Sequence, residues 1–189
     1  MRWLVLLWLT LLNGCAMLPD GMTAPAHPAH PESVPFAMNG RVSIDDGGEK
    51  HSAGLRWTHT GQSDEILLLN PLGQTVARVY RDDGMATLDD GKKRYQDVDA
   101  AALMQQVLGW HLPLSGLHQW ILGLPSEDGP AFITRDTSGR IELLRQDGWE
   151  VHYLRFADAR PDSLPTRLRM NHQDLQVQLL IDEWEWNPK

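Results

Sequence analysis

Three groups of residues have the types and spacing that chemistry needs. Ser115 and His118 stand one helical turn apart, as a nucleophile and its base would. His111 and His118, two turns apart, could share a ligand. Asp182, Glu183 and Glu185 cluster near the end of the chain, and side chains 183 and 185 fall on one strand face, as the paired carboxylates of a glycosidase do. Each group also has a plainer account. Ser115 follows Pro113 and suits a helix cap, and the two histidines suit the surface or a cap of a short helical segment. The acids alternate with Trp184 and Trp186, as on the polar edge of a last strand. No Gly-x-Ser-x-Gly, Gly-x-Gly-x-x-Gly, P-loop or His-Glu-x-x-His motif is present. The residues therefore give no support for an enzyme, a metal site or a cofactor.

Cys15 is the one residue with a definite chemical prospect. It is the single cysteine, which excludes an intrachain disulfide and a multi-thiolate metal site. Basic Arg2 and an apolar run from Trp3 to Leu12, too short to span a bilayer, precede it. Leu12-Asn13-Gly14-Cys15 resembles the lipobox of bacterial lipoproteins, although Asn13 stands where Ala, Ser or Thr is usual. The resemblance implies a signal peptide over 1–14 and a mature chain that begins at an acylated Cys15. Several acyl chains hold a membrane firmly, at ~0.8 kcal/mol per buried methylene. Ala16 replaces the Asp that retains such proteins in the inner membrane, so the outer membrane is expected. Residues 15–35 then form the anchor and a tether. Pro19, Pro25, Pro28, Pro31 and Pro35 make it an extended spacer that reaches at most about 60 Å. His27 and His30 within it read as solvated linker residues.

Residues 36–189 are enough for one domain with a real core. The formal net charge is −8, and loss of the signal peptide removes Arg2 and no acid. That argues against a nucleic-acid partner and against simple adhesion to anionic lipid. Glu65–Leu69 and Gln74–Tyr80 read as two strands joined by Asn70-Pro71-Leu72-Gly73, where Pro fixes φ and Gly admits φ > 0. Leu72 at such a tip is unusual, because water normally selects small polar residues there. It is either an incidental surface leucine, a tip folded onto the core, or an apolar finger for a bilayer.

Period-two alternation runs through Phe36–Ile44 and Ala53–Thr58, and further strands read at Met85–Leu88, Lys92–Gln96, Phe132–Thr134, Ile141–Arg145, Trp149–Phe156, Leu164–Met170 and Leu175–Trp186, with Asp-Gly signals at several of the turns. The pattern switches to helical spacing at Leu103, Met104, Val107 and Leu108, between Asp97 or Asp99 and Gly109. It does so again from Ser115 through Leu117, Trp120 and Ile121 to Gly123. The expected fold is mainly β: a single curved antiparallel sheet forming a half-open barrel, covered by a short helical lid. Met38, Val42, Leu55, Trp57, Leu67, Leu103, Val107 and Trp120 are the candidates to line an apolar cavity beneath the lid. Residues such as Trp57, Met104 and Trp120 could equally fill that space as solid core.

Two segments together resemble one family, the outer-membrane lipoprotein LolB family. They are Leu68-Leu69-Asn70-Pro71-Leu72-Gly73-Gln74 and Pro113-Leu114-Ser115-Gly116-Leu117-His118-Gln119-Trp120-Ile121-Leu122-Gly123-Leu124-Pro125. The family often carries an amphipathic helix before the first strand, where this chain is short and proline-rich. The resemblance implies an acceptor that takes acylated lipoproteins from the periplasmic carrier LolA into its cavity and incorporates them into outer-membrane lipid, without ATP. It also implies that Leu72 serves membrane incorporation of the cargo. The expected state is a monomer. Two other readings remain: a lipoprotein that binds another hydrophobic ligand or scaffolds an envelope complex, and an envelope hydrolase.

Overall fold

A computed structural model describes residues 34–82, 84–109, 114–127 and 129–188. Cys15, the signal peptide and all but the end of the tether, with His27 and His30, lie outside the described residues, as do His111 and Pro113.

Eleven strands form one antiparallel sheet. Six come first: β1 (Phe36–Asp45), β2 (Lys50–Thr60), β3 (Ser63–Leu69), β4 (Thr75–Asp82), β5 (Met85–Asp89) and β6 (Arg94–Asp97). Two helices follow, α1 (Ala100–Leu108) and α2 (Leu114–Ile121). The chain returns as β7 (Phe132–Arg135), β8 (Ile141–Gln146), β9 (Trp149–Phe156), β10 (Pro165–His172) and β11 (Leu175–Trp186). The order across the sheet is β6-β5-β4-β3-β2-β1-β11-β10-β9-β8-β7. Two meanders are thus sewn together where the first strand meets the last. β6 and β7 are the edges, so the sheet is a half-barrel rather than a closed one.

One face of this sheet is covered, and the alternation in the sequence decides which residues it holds. Phe36, Met38 and Ile44 of β1, Leu55 and Trp57 of β2, and Val177, Leu179 and Ile181 of β11 are all buried, while their strand neighbours are wetter. A register shift between Asn39 and Gly40 lets β11 change phase after Ile181, so Trp184 also turns inward. Gly40 sits at this seam because a Cβ there would lie 2.1 Å from the Leu180 carbonyl oxygen.

α1 starts at Asp99, whose carboxylate accepts from the Ala101 and Ala102 amides. It ends at Gly109 in the left-handed region, φ 86°. The cap is thus Asp99 and not Asp97. α2 begins one residue earlier than its sequence suggests: Leu114 is its first residue, and Ser115 lies inside the helix instead of capping it. α1 leans on β5 and β6, and the two helices cover the concave face.

Candidate functional site

The pairing register gives the half-barrel two unlike ends. Phe36 pairs with Trp186 on one side and with His59 on the other, and His59 pairs with Asp64. Both ends of the domain's chain are therefore at this end, the floor. The hairpin between β3 and β4, with Leu72, is at the opposite end, the rim.

Between floor and rim lies an apolar cavity. Its sheet wall is Val42 and Ile44 of β1, Leu55 and Trp57 of β2, Ile66 and Leu68 of β3, and Val79 of β4. Met170, Val177 and Leu179 complete that wall from β10 and β11. Met104 and Leu108 of α1 and Leu114 and Leu117 of α2 close it from the lid. The lining is wholly apolar, and the space measures about 60 Å³. That is less than half of the ~150 Å³ that accommodates one benzene ring. From the lid, the side chains of Met104, Leu108, Leu114 and Leu117 stand over the sheet wall.

Of the residues the sequence singled out, Val42, Leu55 and Trp57 line this cavity. Met38, Leu103 and Trp120 are buried in the core beside it rather than on its wall, and Val107 packs against that core half-buried. Leu67 needs correcting. It pairs with Arg56 and Arg78, both exposed, so it shares the outer face with them. Its neighbours Ile66 and Leu68 take the inner face. The unbroken run Ile66-Leu67-Leu68-Leu69 carries no alternation of its own, so its phase is set only by pairing to β2.

The rim hairpin is held by its backbone and by Asn70. The Gly73 amide donates to the Asn70 carbonyl at 2.9 Å, and the Asn70 amide donates to the Gln74 carbonyl at 2.9 Å. The Leu72 and Gln74 amides both donate to Asn70 Oδ1. Pro71 supplies the fixed φ, and Gly73 takes φ 78°, followed by a register shift at Leu69. This is a three-residue turn with a bulge, and it leaves nothing for the Leu72 side chain to do in folding. Leu72 is 83 % exposed, the most exposed of the large apolar residues among those described. It stands four residues beyond Leu68, in the turn that follows a strand of the cavity wall.

The floor is closed by a buried polar cluster that the sequence reading missed. Asp64 is 1 % exposed. Its Oδ1 accepts from Trp57 Nε1 at 2.9 Å and is 2.7 Å from His59 Nδ1. Its Oδ2 accepts from Arg81, through Nε at 3.0 Å and through a second guanidinium nitrogen. Burial alone would raise the Asp64 pKa, but the hydrogen bonds from His59, Arg81 and Trp57 outweigh it and hold the carboxyl below its ordinary value. The signal was present in the parity: Asp64 is in phase with Ile66 and Leu68, and His59 with Leu55 and Trp57.

His118, expected at the surface or as a cap, instead stacks on His59, with ring centroids 4.7 Å apart and planes at 13°. The His118 imidazole thus faces the sheet rather than solvent. The carboxyl-terminal acids stay on the exposed side, where Asp182 bonds Arg41 and Glu183 accepts from Asn39.

The far end of α2 is pinned. Gln146 is buried, and its Oε1 accepts from Trp120 Nε1 at 3.0 Å and from the Ser126 amide at 2.9 Å. Its Nε2 donates to the Ser126 and Gly129 carbonyls. The Tyr153 hydroxyl donates to the Trp120 carbonyl at 2.8 Å, and burial pushes that phenol's pKa well up, so it remains a donor.

A family model described as outer membrane lipoprotein LolB matches residues 34–184. Among curated proteins, the outer-membrane lipoprotein LolB of Nitrosomonas europaea is 39% identical over 158 residues, covering 82% of this chain and 74% of that protein. The protein of the same name from Chromobacterium violaceum is 38% identical over 185 residues, covering 97% and 98%. Among solved structures, a putative outer membrane lipoprotein-sorting protein domain from Vibrio parahaemolyticus aligns with a TM-score of 0.53 at 10% identity, covering 82% of this chain and 86% of that one. A DUF1329 family protein from Desulfovibrio piger aligns at 0.51 and 9%, with the same coverage. At that identity the two structures show a shared fold.

Proposed function

Because the chain belongs to the outer membrane lipoprotein LolB family, we propose that it receives lipoproteins from a periplasmic carrier of the LolA kind, shelters their acyl chains beneath the lid, and incorporates them into the outer membrane. The observation that carries the second half of this reading is the placement of Leu68 and Leu72 on one hairpin. β3, which forms part of the cavity wall, runs directly into the turn that carries the projecting apolar tip.

The physics of each step is simple. Acyl chains cannot cross an aqueous compartment bare, since each methylene left in water costs about 0.8 kcal/mol. Entry requires the lid to move, because about 60 Å³ is too little for even one chain. The incoming methylenes replace Met104, Leu108, Leu114 and Leu117 against the sheet, so apolar contact is exchanged rather than lost. Transfer from carrier to acceptor needs no nucleotide if the acceptor binds somewhat more tightly, because only the difference counts. Release runs downhill into the bilayer, and the Leu72 tip lowers the barrier by disturbing the lipid surface next to the cavity.

Acylated Cys15 anchors the protein, with residues 16–35 as the tether. Since the tether joins at the floor and Leu72 is at the rim, the domain turns its far end toward its own membrane. From the level of Phe36 and Asp64 to Leu72 is eight residues of strand and loop, about 26 Å at ~3.3 Å each. A twenty-residue spacer at ~3 Å per residue covers that distance with length to spare.

The test is a release assay. The mature protein is mixed with carrier loaded with an acylated lipoprotein, and cargo on each protein is measured before and after liposomes are added. Movement from carrier to this protein and then to lipid is expected. No movement from the carrier would overturn the reading.

A further inference from the structure

The floor cluster holds titratable groups that acyl-chain transfer does not use. We propose that the His59–His118 stack is a proton-sensitive clasp on the lid: with His118 uncharged it holds α2 against the floor, and proton uptake by His118 parts the rings and frees the cavity. The proposal rests on the reading of the cavity as the site that is loaded.

The contact joins two different bodies. His59 belongs to β2 of the half-barrel and His118 to the lid helix. His59 is itself sandwiched, since Phe36 lies on it at 5.2 Å between centroids and 28° between planes. An uncharged His118 imidazole stacks on a neighbouring ring as other flat aromatic rings do. Two imidazolium rings at 4.7 Å put like charges face to face, and the stack then repels.

The groups facing His118 cannot absorb that charge. From β2 comes His59, from β3 Asp64, from β4 Arg81, and from its own helix the Leu114 carbonyl. Asp64 is the anion among these groups, and it is already shared by His59, Trp57 and Arg81. Burial is the main reason that the His118 pKa lies below its ordinary value; His59 and Arg81 add to this and Asp64 opposes it. A histidine whose pKa is lowered by closure favours the closed form while uncharged. That preference is full above the ordinary value of about 6.5 and fades as pH falls below it.

The clasp is well placed to control the cavity. α2 is pinned at Trp120 by Gln146 and Tyr153. At a rise of ~1.5 Å per residue, His118 is about 3 Å and Leu114 about 9 Å from that pin along the axis. A rotation that parts the stack therefore moves Leu114 about three times as far. Leu114 and Leu117 are the α2 residues that plug the cavity.

The test uses the mature protein, residues 15–189, and its His118→Phe, His118→Gln and His152→Gln variants. Binding of the apolar fluorophore anilinonaphthalene sulfonate is read between pH 7.5 and 5.0, with near-ultraviolet circular dichroism as the check that packing persists. Imidazole resonances are followed by NMR across the same range. Wild-type binding should rise by about threefold or more, given tenfold in the open-to-closed ratio for each unit by which closure lowers the pKa. His118→Phe keeps a ring but no proton site, and should stay flat. His118→Gln should bind more dye at every pH. His152→Gln, which removes a histidine paired with Glu150 on the outer face, should behave as wild type. A flat wild-type curve, or the same rise in His118→Phe, would overturn the clasp. A pH-dependent opening in a protein that accepts no cargo would overturn the cargo reading and leave the clasp standing.

Discussion

Leu72→Glu should separate holding cargo from handing it over. The hairpin is built from Asn70, Pro71, Gly73 and their backbone bonds, and the Leu72 side chain touches none of them through a hydrogen bond. An exposed substitution of this kind changes stability by less than about 0.5 kcal/mol, or roughly 1–2 °C in Tm for a domain of this size. The cavity wall is untouched, so cargo uptake from the carrier should remain within about twofold of wild type. The membrane step is different. At the centre of a bilayer leucine is favoured by ~0.5 kcal/mol and a carboxylate is disfavoured by ~3 kcal/mol, a gap of ~3.5 kcal/mol. The loop extends only from Asn70 to Gln74 beyond its last strand pair, Leu69 with Thr75, so the tip reaches about half that depth. Half the gap, ~1.8 kcal/mol, is about a 20-fold loss in inserted tips. The assay loads each variant with a labelled lipoprotein, adds liposomes, and follows label in the floated lipid. A 20-fold slower delivery with normal uptake is expected. Wild-type delivery would refute the role of the tip, and an equal loss of uptake would show that Leu72 acts on loading instead.

Three further outcomes follow from the geometry. Deleting residues 20–33 from the acylated protein leaves six tether residues, about 19 Å at ~3.1 Å each, short of the ~26 Å to the tip; uptake should persist while delivery to the protein's own membrane is lost, measured in reconstituted proteoliposomes. Leu117→Ala should cost about 2–4 kcal/mol in urea denaturation yet raise affinity for an apolar dye, because it removes a plug from the cavity. Asp64→Asn should cost about 3 kcal/mol at pH 7, at the low end for a buried pair because Arg81 is partly wet. The Asp64 carboxyl titrates below its ordinary value in the folded protein, so its stabilisation is present above about pH 4 and is lost as pH falls further. The gap between variant and wild type should therefore narrow in urea melts at pH 3.

Most strand boundaries were legible because each strand buries one face only, so hydrophobicity alternates with period two, and Asp-Gly pairs mark the turns between them. The caps of α1 were legible for the same local reason: Asp99 and Gly109 satisfy helix ends with their own atoms. Beside the Asp64 cluster, three features escaped. Leu67 sits in a run of four apolar residues, where only the register with β2 chooses the face. Ser115 looked like a cap, yet Leu114 already begins α2. His118 read as a surface residue, because its partner His59 lies 59 positions earlier and no local pattern links them.

The sequence by itself determined a one-sided antiparallel sheet, its helical interruption, the leucine on a turn that does not need it, and the family, because these depend on neighbours in the chain. The tertiary structure decided which apolar residues wall a cavity and which merely fill the core, that the cavity under the helices measures about 60 Å³, that the start of β1 and Leu72 lie at opposite ends, and that Asp64, His59, Arg81 and His118 meet. Those facts depend on strand register and on distant segments meeting in space, and a linear pattern carries neither.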